Sequence, residues 1–312
     1  MKRFIAAFAG LSMLMLISVF TIAFSQGQSE LAGPKVVHRL RNDNDVDKNK
    51  DAHPPEAAGR AKPQSGNNGI FYHGGPLILG TTNVYYIWYG NWSGNTAKSI
   101  LTNLATYMGG SPYFNINTTY SDGSNTHVSN SVLYSGSTDD SYSQGTNLSD
   151  AGVQAVVSSA ISSGRLPRDT NAVYFVLTSA DVNETSGFCT QYCGWHTHGT
   201  LSGSDIKYSF IGNPDKCPTA CAAQTTSPNG NAGADGMASI IAHELEEAVT
   251  DPDLNAWYDR RGQENADKCA WTFGATYITA NGASANMNIG GLDYLIQRNW
   301  VNASGGYCAL SY

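Results

Sequence analysis

The sequence predicts an α/β fold: a mixed, mostly parallel sheet with one functional helix, followed by a loop-rich, disulfide-stapled C-terminal part. Three observations carry this. β-branched and aromatic runs alternate with stretches of helical periodicity between residues 69 and 250, the pattern of a layered α/β arrangement. One longer helical segment, Asp235–Val249, holds His243, Glu244 and Glu247. After Pro252 the chain turns Gly-, Asn- and Ala-rich with weak periodicity, so short strands and loops stapled by Cys269 and Cys308 are expected there.

The N-terminus comes first. Lys2 and Arg3 precede an uncharged run from Phe4 to Phe24, and Ala23 and Ser25 place small residues before Gln26. Residues 1–25 therefore read as a bacterial-type secretory signal peptide, and no membrane span is expected after its removal. The protein is expected to be secreted, extracellular or periplasmic. Residues 26–68 are rich in Pro, Gly, Asn, Asp and Lys without apolar periodicity, as in a disordered linker or short pro-segment. Residues 69–312 suffice for one large domain.

Within that domain, Asn83–Tyr89 (NVYYIWY) reads as a buried strand between Gly80 and Gly90. Ala97–Met108 spaces Ile100, Leu101, Leu104, Ala105 and Met108 as a helix, and Gly109-Gly110 stops it. His127–Tyr134 is the next expected strand, and low-complexity Ser135–Thr146 an expected surface loop. Ser149-Asp150 opens a second helix bearing Val153, Val156, Val157, Ala160 and Ile161, with Gly164 near its end. Ala172–Thr178 is the strongest strand signal, and Lys207–Ile211 a shorter one. Met237, Ile240, Ile241, Leu245 and Ala248 make Asp235–Val249 an amphipathic helix with Asp235 as N-cap, ended by Pro252.

Composition narrows function. The formal charge is −7 for all 312 residues, and loss of Lys2 and Arg3 with the signal peptide takes it to −9. Nucleic acid and anionic membrane surfaces are poor partners for such a chain. All six cysteines lie beyond the signal peptide, and in an oxidising compartment they predict three disulfides whose pairing is left open.

The chemistry concentrates in Ala242–Pro252, AHELEEAVTDP. His243 and Glu247 are four apart on a helix and face one cation from the same side. Glu244 is placed to act on a metal-bound water as general base, whereas Glu246 points elsewhere and is expected to be solvated. Zinc accepts imidazole and carboxylate ligands at similar distances, so HExxE is an admissible variant of a zincin-type HExxH helix. Each anionic ligand offsets the Lewis acidity of the metal, which implies weaker hydrolysis or another metal. The third ligand is open among Asp267, at a gluzincin-like interval, Glu264, and Asp253 by analogy with metzincins. Tyr258, between the ligands, is a candidate oxyanion donor. Cys189, Cys193, His196 and His198 form a possible small zinc cluster, against which disulfides are the more ordinary reading. His196 is alternatively placed near the active site and His198 exposed. Five Asn-X-Ser/Thr triplets are taken as chance in a bacterial chain.

Several blocks act together: Tyr72-His-Gly-Gly-Pro76, Val84–Gly90, Val176–Val182, Gly187–His196, Ile211-Gly-Asn213, Cys217–Cys221, Gly233–Met237, AHELEEAVTDP and Asn255-Ala-Trp-Tyr258. In this order they resemble the EXORDIUM (phosphate-induced protein) family of secreted proteins, known mainly from plants and also present in bacteria. The resemblance implies that many members share His243-Glu244, Glu247, Asn255–Tyr258 and the Glu264/Asp267/Cys269 block. Two functions are carried forward. The first is a secreted zinc-dependent metallohydrolase, a peptidase acting on extracellular peptide or protein. The second is a non-catalytic binding or signalling protein acting at the cell surface or on cell-wall polysaccharide, for which 17 Tyr and 6 Trp offer glycan-stacking groups or, more simply, core.

Overall fold

The structure, a computed structural model, describes residues 35–40 and 69–312. The expected signal peptide and most of 26–68 lie outside the described residues. Six strands form the main sheet: β1 Val36–Arg39, β2 Thr82–Tyr89, β3 Val132–Asp140, β4 Ala172–Thr178, β5 Tyr192–Leu201 and β6 Ser204–Ile211. Their order is β1-β5-β6-β4-β2-β3. The four strands β6, β4, β2 and β3 run parallel, while β5 is antiparallel to both β6 and β1. The mixed, mostly parallel sheet is as expected.

Every residue of β4 is buried, so both faces of the sheet are covered at its centre, which is why AVYFVLT is a continuous apolar run rather than an alternating one. Three helices do most of the covering: α1 Ala97–Met108, α2 Asp150–Ser162 and α3 Ala232–Thr250. α1 packs on α3, α3 crosses β5 and β6, and α2 packs on β4 and β6. The expected bounds of α1 hold. α2 begins where Ser149 caps it, its Oγ accepting from the Gly152 N–H at 3.1 Å.

Four expectations are corrected. The strand expected at His127–Tyr134 lies further on as β3, which takes in the first half of the expected Ser135–Thr146 loop. As an edge strand it keeps all its polar side chains but Asp140 at least partly exposed. β5 was not anticipated. It makes a hairpin with β6 through Ser202-Gly203, both at positive φ (51° and 77°), the geometry of a two-residue turn. Asn231, not Asp235, caps α3, accepting from the Ala234 N–H at 3.0 Å. Asp235 instead holds the preceding loop, accepting from the Asn229 backbone and side chain at 3.1 and 2.6 Å. Finally, within the stretch read as linker, Val36–Arg39 forms β1 and pairs with β5.

Beyond Asp251 the chain makes small two-stranded ribbons at 277–285, 287–294 and 299–309. Cys269–Cys308 staples them, and Cys189–Cys217 and Cys193–Cys221 tie the start of β5 to the segment before α3. No cysteine is free, as befits an exported protein. Among the described residues no helix is long and apolar enough to cross a membrane.

Candidate metal centre

α3 is rich in Ala and Gly and is buried nearly all round, so every polar group it carries enters the interior. Glu246 is therefore not solvated as expected. It is fully buried and accepts from the Asn299 side-chain amide, because the 299–301 ribbon folds back over that face. His243, Glu244 and Glu247 point to a different neighbourhood. Gly194 of β5 makes room there: a Cβ on it would stand 2.7 Å from Ile240 Cγ2 and 3.2 Å from Glu244 Oε1. His38 of β1 packs edge-on against His243, with ring centroids 4.1 Å apart.

Two further elements complete the cluster. The segment after Tyr258 brings Glu264 and Asp267, and the Asp267 backbone N–H donates to Glu247 Oε1 at 2.9 Å. β5 brings His196. His243 Nε2 lies 3.0 Å from Glu247 Oε1 and 3.7 Å from Asp267 Oδ1. On the other side of the same carboxylate, His196 Nε2 lies 3.7 Å from Glu247 Oε2 and 3.3 Å from Glu264 Oε2. The donor atoms of His243, Glu247 and Asp267 are mutually within 4.8 Å, as are those of His196, Glu244 and Glu247. Of the candidate third ligands, Asp267 thus reaches the helix on the His243 side, whereas Glu264 meets His196 of β5.

The remaining candidates are elsewhere. Tyr258 pairs with Phe71 and stacks its ring on His73 at 3.7 Å; among the described residues no hydrogen bond or ion pair joins it to the carboxylates. Asp253 sits with Lys207 at 3.2 Å and His198 at 3.6 Å. His198 is not freely exposed as expected, since Asp205 holds it at 2.8 Å, and Lys207 already supplies the cation this cluster needs. The Cys–His zinc cluster does not form, because Cys189 and Cys193 are both in disulfides.

The electrostatics are severe. His196, His243, Glu244, Glu247 and Glu264 are at most 1% exposed. Burial, reinforced by the charge of Glu247, drives the Glu244 and Glu264 carboxyls well above the usual range. Burial also raises Glu247 to about 7, although the His243 charge opposes it. His196 is pushed down to about 3 by burial and the His243 charge, so it is neutral with a lone pair to offer. Burial works to lower His243 too, but the Glu247 charge, helped by Asp267, prevails and raises it to about 10.

Hydrogen bonding does not resolve this cluster. Among the described residues, both ring nitrogens of His196 and of His243, both oxygens of Glu244 and Glu264, and Glu247 Oε2 find no well-formed hydrogen-bond partner. Buried polar groups in folded proteins are nearly always paired, so such a concentration of orphans calls for a missing partner. The donors approach without hydrogen-bond alignment, at 3.0–3.7 Å. Ligands about 2.0–2.1 Å from a tetrahedral cation lie roughly 3.3 Å from one another, so the donor set fits a zinc-sized ion. His38, which flanks His243, was missed because it lies in a four-residue strand inside a polar stretch; only the Val36-Val37 pair hints at it.

Comparison with known proteins follows the same outline. Residues 70–291 match the family model "Phosphate-induced protein 1 conserved region". Protein EXORDIUM-like 5 of Arabidopsis thaliana is 34% identical over 270 residues, covering 73% of this chain and 74% of that protein. Protein EXORDIUM-like 3 of the same plant is 32% identical over 280 residues, 76% of this chain and 81% of that one. Protein PHOSPHATE-INDUCED 1 of Nicotiana tabacum is 27% identical over 223 residues, 62% and 68% of the two chains. No solved structure matches. The chain belongs to the phosphate-induced protein 1, or EXORDIUM, family.

Proposed function

We propose that this protein is a secreted metal-dependent hydrolase with a zincin-like layout, acting as a peptidase on extracellular peptide or protein. The observation that supports it is the convergence of two imidazoles and four carboxylates, buried and largely without hydrogen bonds, around one turn of α3. His243, Glu247 and Asp267 would hold the cation, zinc by the mixed nitrogen and oxygen donors. Bound there, zinc supplies Lewis acidity and acidifies water. Glu244 is the proton acceptor: burial and the Glu247 charge raise its affinity for a proton, and a cation held beside it would favour the carboxylate form that accepts one. Its place beside Gly194 fixes the carboxylate against the sheet. Glu244→Gln keeps the ligands and removes the base, so hydrolysis of a peptide mixture, followed by mass spectrometry, should fall at least about 100-fold with metal content unchanged. Undiminished hydrolysis in that variant would remove the mechanism.

Burial favours a second reading. Structural metal sites are closed whereas catalytic ones keep an open position, and here only Asp267, with 14% of its side chain exposed, reaches solvent. On this reading the metal stabilises an extracellular binding or signalling protein acting at the cell surface or on polysaccharide. None of the six tryptophans is exposed, which gives little to a glycan-stacking surface. Absence of any peptide hydrolysis by metal-loaded wild type, together with loss of stability on chelation, would select this reading.

A further inference from the structure

The His243 side of the cluster accounts for only two of its nine unsatisfied atoms, the ring nitrogens of His243. Glu247 uses its two oxygens differently: Oε1 faces His243 and receives the Asp267 N–H, while Oε2 faces His196 and has no hydrogen-bond partner. His196 is fully buried, with neither ring nitrogen hydrogen-bonded. Glu264, also buried with both oxygens unpartnered, stands 3.3 Å from His196 Nε2. Glu244 closes the group. A single cation beside His243 leaves this second set of lone pairs aimed at one another. An imidazole and three carboxyl groups so arranged are neutralised either by protons on the carboxyls or by a cation between them.

We propose a second divalent-cation position, held by His196 and Glu247 Oε2 with the Glu244 and Glu264 carboxyls beside them, so that Glu247 bridges a two-metal centre. The inference rests on the reading that His243, Glu247 and Asp267 hold the first ion. A carboxylate that bridges through both oxygens sets two cations about 3.5–4 Å apart, the spacing of two-metal hydrolytic sites. The donors are one nitrogen and otherwise oxygen, which admits Zn2+ or Mn2+ and disfavours soft cations such as Cu+. The histidines supply one ligand to each position, from α3 and from β5. The bridge is then the one residue that neither position can lose.

The test is metal stoichiometry on the full secreted chain with its disulfides intact. After chelation, reloading with Zn2+ and desalting, elemental analysis should give two equivalents for wild type and one for His196→Ala. Glu247→Gln should drop below one. A second readout avoids dependence on whether these variants fold. Wild type loaded with Mn2+ should show an exchange-coupled electron paramagnetic resonance spectrum in place of the six-line signal of an isolated ion. One equivalent of zinc with an uncoupled manganese signal overturns the second position and leaves the His243 site standing. No retained metal in the wild type overturns both.

Discussion

In the metal-free protein His243 holds its proton up to about pH 10, whereas in an unfolded chain it would release it near 6.5. A folded-state pKa raised in this way contributes stability that is complete below 6.5 and is lost as pH rises toward 10. Between pH 7 and 9 the folded state carries nearly one proton more than the unfolded state. The loss is roughly 1.4 kcal/mol per pH unit, or roughly 2–3 kcal/mol over the window. For a domain of this size that lowers the melting temperature by about 5–10 °C. Glu244 and Glu264, whose carboxyls burial also raises, act with the same sign. His38 and His196 are shifted the other way, and their contribution changes only as pH falls below 6.5, outside the window. Ligation of His243 by a cation would release the proton in advance and flatten the slope. Differential scanning calorimetry of chelated and zinc-loaded protein at pH 7, 8 and 9 measures both. A chelated protein that melts no lower at pH 9 than at pH 7, or a loaded one with the same decline, would refute the charge assignment.

Other perturbations probe the frame around the cluster. Gly194→Ala drives a methyl against Ile240 and Glu244 Oε1, and should cost about 1–3 kcal/mol in urea unfolding and reduce retained zinc. Cys308→Ser opens a loop spanning 39 residues, worth about 4 kcal/mol in chain entropy, and frees the turn that carries Asp267; an unchanged unfolding midpoint would contradict this. Removing residues through Asn68 takes away β1, deprives the Trp271 indole N–H of Arg39 O at 2.9 Å and uncovers the His243 ring. The trimmed protein should melt lower and lose zinc to chelator faster. Release of a pro-segment alone would raise activity with stability intact.

Legibility followed the range of the interactions. α1 and α2 were readable because their stops and caps are local: Gly109-Gly110 after Met108, Ser149 before Asp150. β4 was readable because a central parallel strand has no polar face to interrupt it. β5 was not, because Gly194, His196, His198 and Gly199 break its apolar run and half of its reason for being a strand lies in distant partners, β1 and β6. Glu246 failed for the same reason. On α3 alone it sits on an outward face, and only the return of the chain to Asn299 buries it. The helix motif was legible in residue type, and Glu264 and Asp267 were both in reach, but one sequence cannot say that they serve opposite edges of the same carboxylate.

That placement alters the argument about acidity. Read along the chain, HExxE with acidic partners implies a cation weakened by several anionic ligands. In the folded protein the anions are not equivalent. Burial raises the Glu244 and Glu264 carboxyls well above the usual range, so they hold their protons more readily than a solvated carboxylate. His196 is neutral. The charge felt on the His243 side is therefore set mainly by Glu247 and Asp267, and Glu247 divides its charge between two histidines. On the proposed reading, a cation held there would keep more Lewis acidity than the count of carboxylates implies, and access rather than acidity would limit hydrolysis. Such hydrolysis would need movement on the Asp267 side, where the cluster comes nearest to solvent, because β1 and β5 close the other.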